Sequence, residues 1–447
     1  MKLSRTTWLL VAALAAVAAY FFLVDQKGRH EKEQRALANR RLFPYTRADV
    51  ERFILLNPKG ERIEAVNQNG TWSIVYPVEA PGDQPAIESF LDQVVPGRRG
   101  IELPDARNLA DYGLEKPFAT LILYHRGASV PDTLTIGDKT PTSSNSYVRL
   151  GSSTSVFISS EITHNVMNKG LLHLRDKNFL PPGTAAVTGF TIRDGRRSIE
   201  LRKEGASWWL LSPPVRANSA TIEAYLSRLT DAVIHQFVRE DTKDLAPYGL
   251  ERPARELTLT KRQETLTIAF GTAEKDLVPV VRTGLDKVVL IEGSFLQAFD
   301  WTAASLRAKN IAFFADDSVK TVRYEGRDTT VVFTRQGSRW RTAAADTSAI
   351  KWWEVNGLLR TLRDTNFDSI LAEPLPPDDP RLRAFLVRVT LGDARGATID
   401  RIVIAPAGAS GQVGASTSAN ALGTLPAGTA EKLEEIFERT GSKQAPR

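Results

Sequence analysis

The apolar positions along this chain change period in a set order, and the order recurs three times. Each round starts with a short alternating stretch: Val50–Asn57, Val187–Gly195 and Val319–Gly326. A tryptophan-bearing stretch follows, NGTWSIVYP at Asn69–Pro77, GASWWLLSPP at Gly205–Pro214 and GSRWRTAAA at Gly337–Ala345. Period two bounded by Gly, Asn and Pro predicts antiparallel hairpins. The period then lengthens. Ile87, Phe90, Leu91, Val94 and Val95 make one apolar helical face, and Ile222, Tyr225, Leu226, Leu229 and Val233 make another. In the third round Ile350, Trp353, Leu358 and Leu362 form that face, while Trp352, Val355 and Leu359 form a second one. An exposed apolar stripe at Trp352, Val355 and Leu359 is a candidate partner-binding surface; burial of the helix on both sides is the alternative.

Two signatures repeat inside this pattern. LADYGLEKP (Leu109–Pro117) returns as LAPYGLERP (Leu245–Pro253), and LRDKN (Leu174–Asn178) returns as LRAKN (Leu306–Asn310). The first reads as a helix stop that launches a strand. Gly113 and Gly249 take the left-handed position past a short turn. Leu109/Leu114 and Leu245/Leu250 supply the hydrophobic pair of a Schellman ending, and Pro117 and Pro253 bar further helix. Tyr112 and Tyr248 are expected to pack. The second signature reads as a last helical turn, with Arg175 and Arg307 at the negative end of the dipole and Asn178 and Asn310 as left-handed caps. Its place at the border of each round suggests a joint between neighbours.

The expected fold is therefore α+β: three tandem modules of antiparallel sheet with packed helices, at 48–180, 181–312 and 313–447. The third departs from the pattern. LPPDDPRLRAFLVRVTL stands where Tyr-Gly-Leu is expected, and 407–423, small and polar, reads as a flexible loop. A last helix ends near Thr440. Terminal repeats often deviate because they cap the array.

The N-terminus changes the picture more than the composition does. After Lys2 and Arg5, the segment Trp8–Val24 carries no charge and is long enough for a short span. An Ala-x-Ala site at Ala16–Ala18 would leave Tyr20–Val24 on the mature end, so an uncleaved transmembrane anchor over 1–25 is the favoured reading over a signal peptide. Residues 26–47 then hold seven Lys and Arg against two Glu, a basic juxtamembrane segment. A cytoplasmic N-terminus puts the body outside the cytoplasmic membrane, although that basic segment then follows on the side the positive-inside rule disfavours. The whole chain has a net charge of +6, and much of it sits in that segment. A nucleic-acid footprint spread over the body is not expected.

Chemistry is scarce. The chain has no cysteine, so thiolate metal sites and cysteine nucleophiles are excluded. There is no Walker loop, dinucleotide fingerprint, zinc-protease motif or nucleophile elbow. His30, His125, His164, His173 and His235 neither pair at i, i+4 nor recur between rounds. No catalytic, cofactor-binding or metal-binding residue is expected, and the chain is not expected to be an enzyme.

The order of tryptophan hairpin, helix, Tyr-Gly-Leu turn, strands and Leu-Arg-x-Lys-Asn resembles the bacterial family known as domain of unknown function 4340, over Val50 to about Asn310. The resemblance implies a membrane-anchored envelope protein acting as an auxiliary of an ABC transporter of the gliding-motility type, with transporter subunits as partners and no catalytic residues. A ligand-binding envelope protein, taking glycan or lipid in an inter-module cleft, is the rival expectation.

Overall fold

A computed structural model describes residues 41–439, apart from 104–105, 107, 142–144, 152, 154, 182–185, 263, 328, 343–351 and 409–410. The expected anchor, Trp8–Val24, lies outside the described residues. Among those described, no helix is long and apolar enough to cross a membrane. The chain divides into two compact units, Met1–Phe179 with Val233–Gln236, and Leu180–Ala232 with Phe237–Arg447.

The hairpin signals become strands where the pattern places them. Module 1 runs β1 (Val50–Leu56), β2 (Arg62–Gln68), β3 (Thr71–Tyr76) and β4 (Ala80–Pro81), then helix α1 (Gln84–Val94) and β5 (Glu102–Leu103). After a 3-10 turn at Leu109–Tyr112 come β6 (Ala119–His125), β7 (Asp132–Lys139), β8 (Ser146–Leu150) and β9 (Val156–Ser159). Asn69 and Gly70 both adopt positive φ between β2 and β3, the twist a two-residue hairpin needs. The sheet order is β4-β3-β2-β1-β6-β7-β8-β9-β5.

Module 2 repeats that order strand for strand. Its members are β10 (Gly189–Asp194), β11 (Arg197–Glu204), β12 (Ser207–Leu211), β13 (Pro214–Arg216), β14 (Gln236–Arg239), β15 (Arg255–Lys261), β16 (Glu264–Phe270), β17 (Leu277–Arg282) and β18 (Leu285–Glu292). They lie as β13-β12-β11-β10-β15-β16-β17-β18-β14, with helix α2 (Ser219–Thr230) between β13 and β14. The registers agree too: Phe53 faces Leu123 in module 1 and Phe190 faces Leu259 in module 2.

Module 3 is a repeat as well. Its strands are β19 (Thr321–Glu325), β20 (Thr330–Gln336), β21 (Arg339–Thr342), β22 (Ser369–Ala372), β23 (Val387–Gly392), β24 (Thr398–Ala407), β25 (Gly411–Ser416) and β26 (Ala421–Leu425). Over the described residues the order β21-β20-β19-β23-β24-β25-β26-β22 matches the others; 343–351, which follow β21 where β4 and β13 follow β3 and β12, lie outside them. Val322 faces Leu391 at the shared register. The helices are α3 (Trp352–Asp364) and α4 (Thr429–Arg439).

This corrects the reading of 407–423 as a flexible loop. Gly411–Ser416 and Ala421–Leu425 are paired strands. Their small residues are required by close packing. A Cβ on Gly414 would stand 2.5 Å from Leu425 Cδ1, and one on Gly423 would stand 2.4 Å from the Ser369 carbonyl oxygen. A glycine-rich strand under a tight contact carries the same composition as a loop.

The apolar helical faces fill the cores. Ile87, Phe90, Leu91, Val94 and Val95 are all at most 1% exposed. Each such side chain contributes on the order of 1.5–3 kcal/mol of transfer free energy. Ile222, Tyr225, Leu226 and Leu229 are buried likewise. Val233, placed on that stripe by its spacing, is exposed because α2 ends at Thr230. Trp72, Trp208 and Trp340 are each buried. The Trp208 indole donates to Glu223 of α2 at 2.7 Å, and the Trp340 indole donates to Asn356 of α3 at 2.9 Å.

The start of module 1 also shifts. Leu42 and Phe43 are buried in its core, and Arg47 pairs with Glu88 and Asp92 of α1. Residues 41–47, the described part of the basic segment, therefore belong to the module.

Candidate functional site

Tyr-Gly-Leu folds as its residues require. Gly113 has φ 66° and Gly249 φ 70°, both left-handed, each closing a short 3-10 turn. Gly113 N–H donates to the Ala110 carbonyl and Leu114 N–H to that of Leu109. Gly249 and Leu250 repeat both bonds to Ala246 and Leu245. That is the paired bonding of a Schellman ending. Leu114 and Leu250 are buried on the outer face of their sheets, with Leu109 and Tyr112, or Leu245 and Tyr248, packed beside them. Tyr112 meets Tyr147 edge to face.

A second glycine completes each turn and escaped the sequence reading. A Cβ on Gly137 would stand 2.0 Å from the Tyr112 carbonyl oxygen, and one on Gly271 would stand 1.9 Å from that of Tyr248. Gly137 lies inside β7 and Gly271 directly follows β16, each on the second strand after its turn, in TLTIG and TIAFG. Their shared position was the available signal. The corresponding residue in module 3, opposite the same strand register, is Ala405, and Tyr-Gly-Leu is missing there as well. Turn and second glycine are lost together.

Leu-Arg-x-Lys-Asn is a joint, but an extended one rather than a capped helical turn. Arg175 (ψ 142°) and Arg307 (ψ 136°) already leave the helical region, and neither Asn178 nor Asn310 has positive φ. The reason lies in the backbone partners. Leu174 accepts from Asp83 N–H, Asp176 donates to Pro81, and Lys177 accepts from Ile234 N–H. In the second copy Leu306 accepts from Asn218, Ala308 donates to Arg216, and Lys309 accepts from Phe367. An extended strap can bond on both edges, which a helical turn cannot. Arg41 and Leu42 dock in the same way, bridging Arg98 and donating to Gly97. Arg175 is 2% exposed, and Arg307 pairs with Glu373 at 2.6 Å. Both arginines are spent within the protein.

The candidate partner surface on α3 needs correction. Val355 and Leu359 are buried, in one cluster with Leu358, Leu362, Leu433 and Phe437. Helix α4 covers the Val355–Leu359 face, which is the buried alternative for that stripe, and Phe437 stacks on Tyr324 at 3.9 Å. Trp353, assigned to the core by its spacing, is 54% exposed. Trp352 opens the helix, and its side chain lies outside what the structure describes.

Where module 3 lacks Tyr-Gly-Leu, its outer sheet face carries a cleft of about 410 Å³. The segment Leu375–Arg383 forms one wall, and β23, β24 and β25 form the floor. Arg388 and Arg401 share that face, since Arg388 pairs with Val403 and Thr390 with Arg401. Phe385 lies under the Arg388 guanidinium at 3.9 Å, and Glu325 accepts from Arg388 at 3.2 Å. Asp379 caps the turn at Pro380–Leu382 and takes a two-pronged ion pair from Arg381, at 2.8 and 2.6 Å. Those bonds hold its carboxyl at about 2, well below the ordinary 3.8. Asp378 beside it has φ 130°, a strained value for a residue with a Cβ. The acidic pair Asp378-Asp379 is thus split between an ion pair and the cleft. Among the described residues, no cluster of three or more His, Asp or Glu is placed to hold a metal.

The molecule is defined by tandem antiparallel modules, the first two closed on their outer face by the Tyr-Gly-Leu turn, and by extended straps that bond on both edges. The family model described as Domain of unknown function (DUF4340) matches it twice, over residues 72–238 and 212–384. The matches span more than half of the chain, which belongs to that family. Each match starts near a module's tryptophan strand and ends in the following module, so the strap lies inside it. No curated protein matches the chain.

Proposed function

We propose that this protein is a membrane-anchored, non-enzymatic auxiliary or scaffold of a cell-envelope ABC transport complex of the gliding-motility type. One observation carries the reading: the signatures that recur between modules are consumed in holding the chain together. The Tyr-Gly-Leu glycines close turns against Gly137 and Gly271, and the straps bond on both edges. Repeated chemistry aimed at a substrate would instead leave repeated side chains free in a cleft. The apolar Trp8–Val24 segment supports anchoring, with the body on the extracytoplasmic side. With Val355 and Leu359 buried, Trp353 becomes the candidate contact on α3.

Crosslinking in native membranes followed by pull-down through a C-terminal tag tests this. Stoichiometric recovery of ABC-transporter subunits is expected. Recovery of this chain alone, under conditions that keep known membrane complexes intact, overturns the scaffold reading.

A further inference from the structure

We propose that the module 3 cleft binds a small organic oxyanion, a phosphate or carboxylate carried on an apolar body. The inference is independent of the scaffold reading, since a scaffold copurifies with its partners whether or not this cleft is filled.

Charge and lining argue for it together. The arginines at the cleft and its immediate supports are Arg323, Arg381, Arg383, Arg388 and Arg401, against Asp378, Asp379 and Glu325. Five positive charges thus face three negative ones, an excess of two. The pairing sharpens this. Asp379 is committed to Arg381, and Glu325 is shared by Arg323 and Arg388. Arg383 and Arg401 are exposed, and among the described residues neither guanidinium has an ion pair. Arginine presents a planar fork suited to two oxygens of one anion. Between the cations the surface is apolar, with Leu375, Leu382, Val403 and Ala415. A pocket of this volume, mainly apolar with a few placed polar groups, suits a small organic ligand.

The feature is particular to module 3. By sheet register the counterparts of Arg388 are Thr120 and Glu256, and those of Arg401 are Thr133 and Thr267. In modules 1 and 2 the outer face is closed by the Leu114 or Leu250 turn. In module 3 a proline-rich wall with the strained Asp378 stands in its place. Strain held by an ion-paired loop points to a site that is built rather than left over.

Calorimetric titration of the full-length protein in a maltoside detergent, with phenyl phosphate as probe, tests the proposal. Saturable binding is expected, weakened about tenfold or more in Arg401→Gln and further in Arg383→Gln/Arg401→Gln, with unchanged melting temperatures. Benzoate should compete, while inorganic phosphate should bind about tenfold more weakly because it leaves the apolar floor unfilled. No saturable binding, or equal binding by parent and double variant, overturns the site. Equal affinity for inorganic phosphate and phenyl phosphate overturns the organic ligand class.

Discussion

The backbone of Tyr112 fills the space where a side chain on Gly137 would begin: a Cβ there would lie 2.0 Å from the Tyr112 carbonyl oxygen. The neighbouring Gly113 is constrained differently. Its φ is 66°, but an added Cβ would first meet the Asp138 carboxylate, a side chain that can swing aside. Gly113→Ala should therefore cost about 1 kcal/mol, the strain of a Cβ at positive φ. Gly137→Ala forces backbone apart and should cost more, about 2–3 kcal/mol. Calorimetric melting of the two variants checks the order, and a milder Gly137 variant would refute this account of the turn. Gly271→Ala should behave like Gly137→Ala, because Tyr248 stands at 1.9 Å.

On α3, burial and spacing assign opposite roles to neighbours. Leu359 is 2% exposed and Trp353 54%. Leu359→Ala should destabilise module 3 by about 2–4 kcal/mol through the cavity it leaves. Trp353→Ala should stay within about 0.5 kcal/mol of the parent. If α3 contacts a partner, the Trp353 variant should lose copurifying subunits at unchanged melting temperature. A large stability loss at Trp353 would place that ring in the core after all.

Much of this architecture was legible from period and punctuation. The tryptophan strands, the Tyr-Gly-Leu turn and most of the faces of α1 and α2 follow from local pattern, because each is decided by residues close in sequence. The misread parts were decided by distant partners. Ala407–Gly423 looked like a loop because Gly414 and Gly423 are small, yet their size answers to Leu425, Ile311 and Phe367. The Val355–Leu359 stripe looked free because α4 lies some seventy residues further on. The straps looked helical because the carbonyl and amide groups they bond belong to other segments. The cleft left one trace, LPPDDPRLR in place of Tyr-Gly-Leu, but the same-face placement of Arg388 and Arg401 needed the register of β23 on β24.

Asp400 is fully buried and ties three residues of the β25–β26 turn to β24. It accepts from the hydroxyls of Ser416, Thr417 and Ser418 and from Ser418 N–H, and the Ser418 hydroxyl in turn accepts from Phe313 N–H. Asp400→Ala would strand those donors and should cost on the order of 2–3 kcal/mol. Ser416→Ala should cost about 1 kcal/mol, as it removes one donor and leaves the others. Equal losses for the two would mean that Asp400 does not organise the turn.

The Asp379–Arg381 pair gives the cleft wall a dependence on acid. Asp379 titrates at about 2 in the folded chain and near 3.8 when free of its partner, because Arg381 donates to its carboxylate through both side chain and backbone. The folded wall therefore binds the proton less tightly than the open one. Its stabilisation by this pair is complete above about pH 4 and is lost as the pH falls through about 2. In the parent, amide protection of Arg381–Arg383, corrected for intrinsic exchange, should hold steady from pH 6 to about pH 4 and decline below it. Arg381→Gln keeps the backbone cap but removes the ion pair, so its protection should start lower and change less over the same range. The two curves should converge toward pH 2. Curves that stay a constant distance apart down to pH 2 would show that the wall is held by something other than this carboxylate.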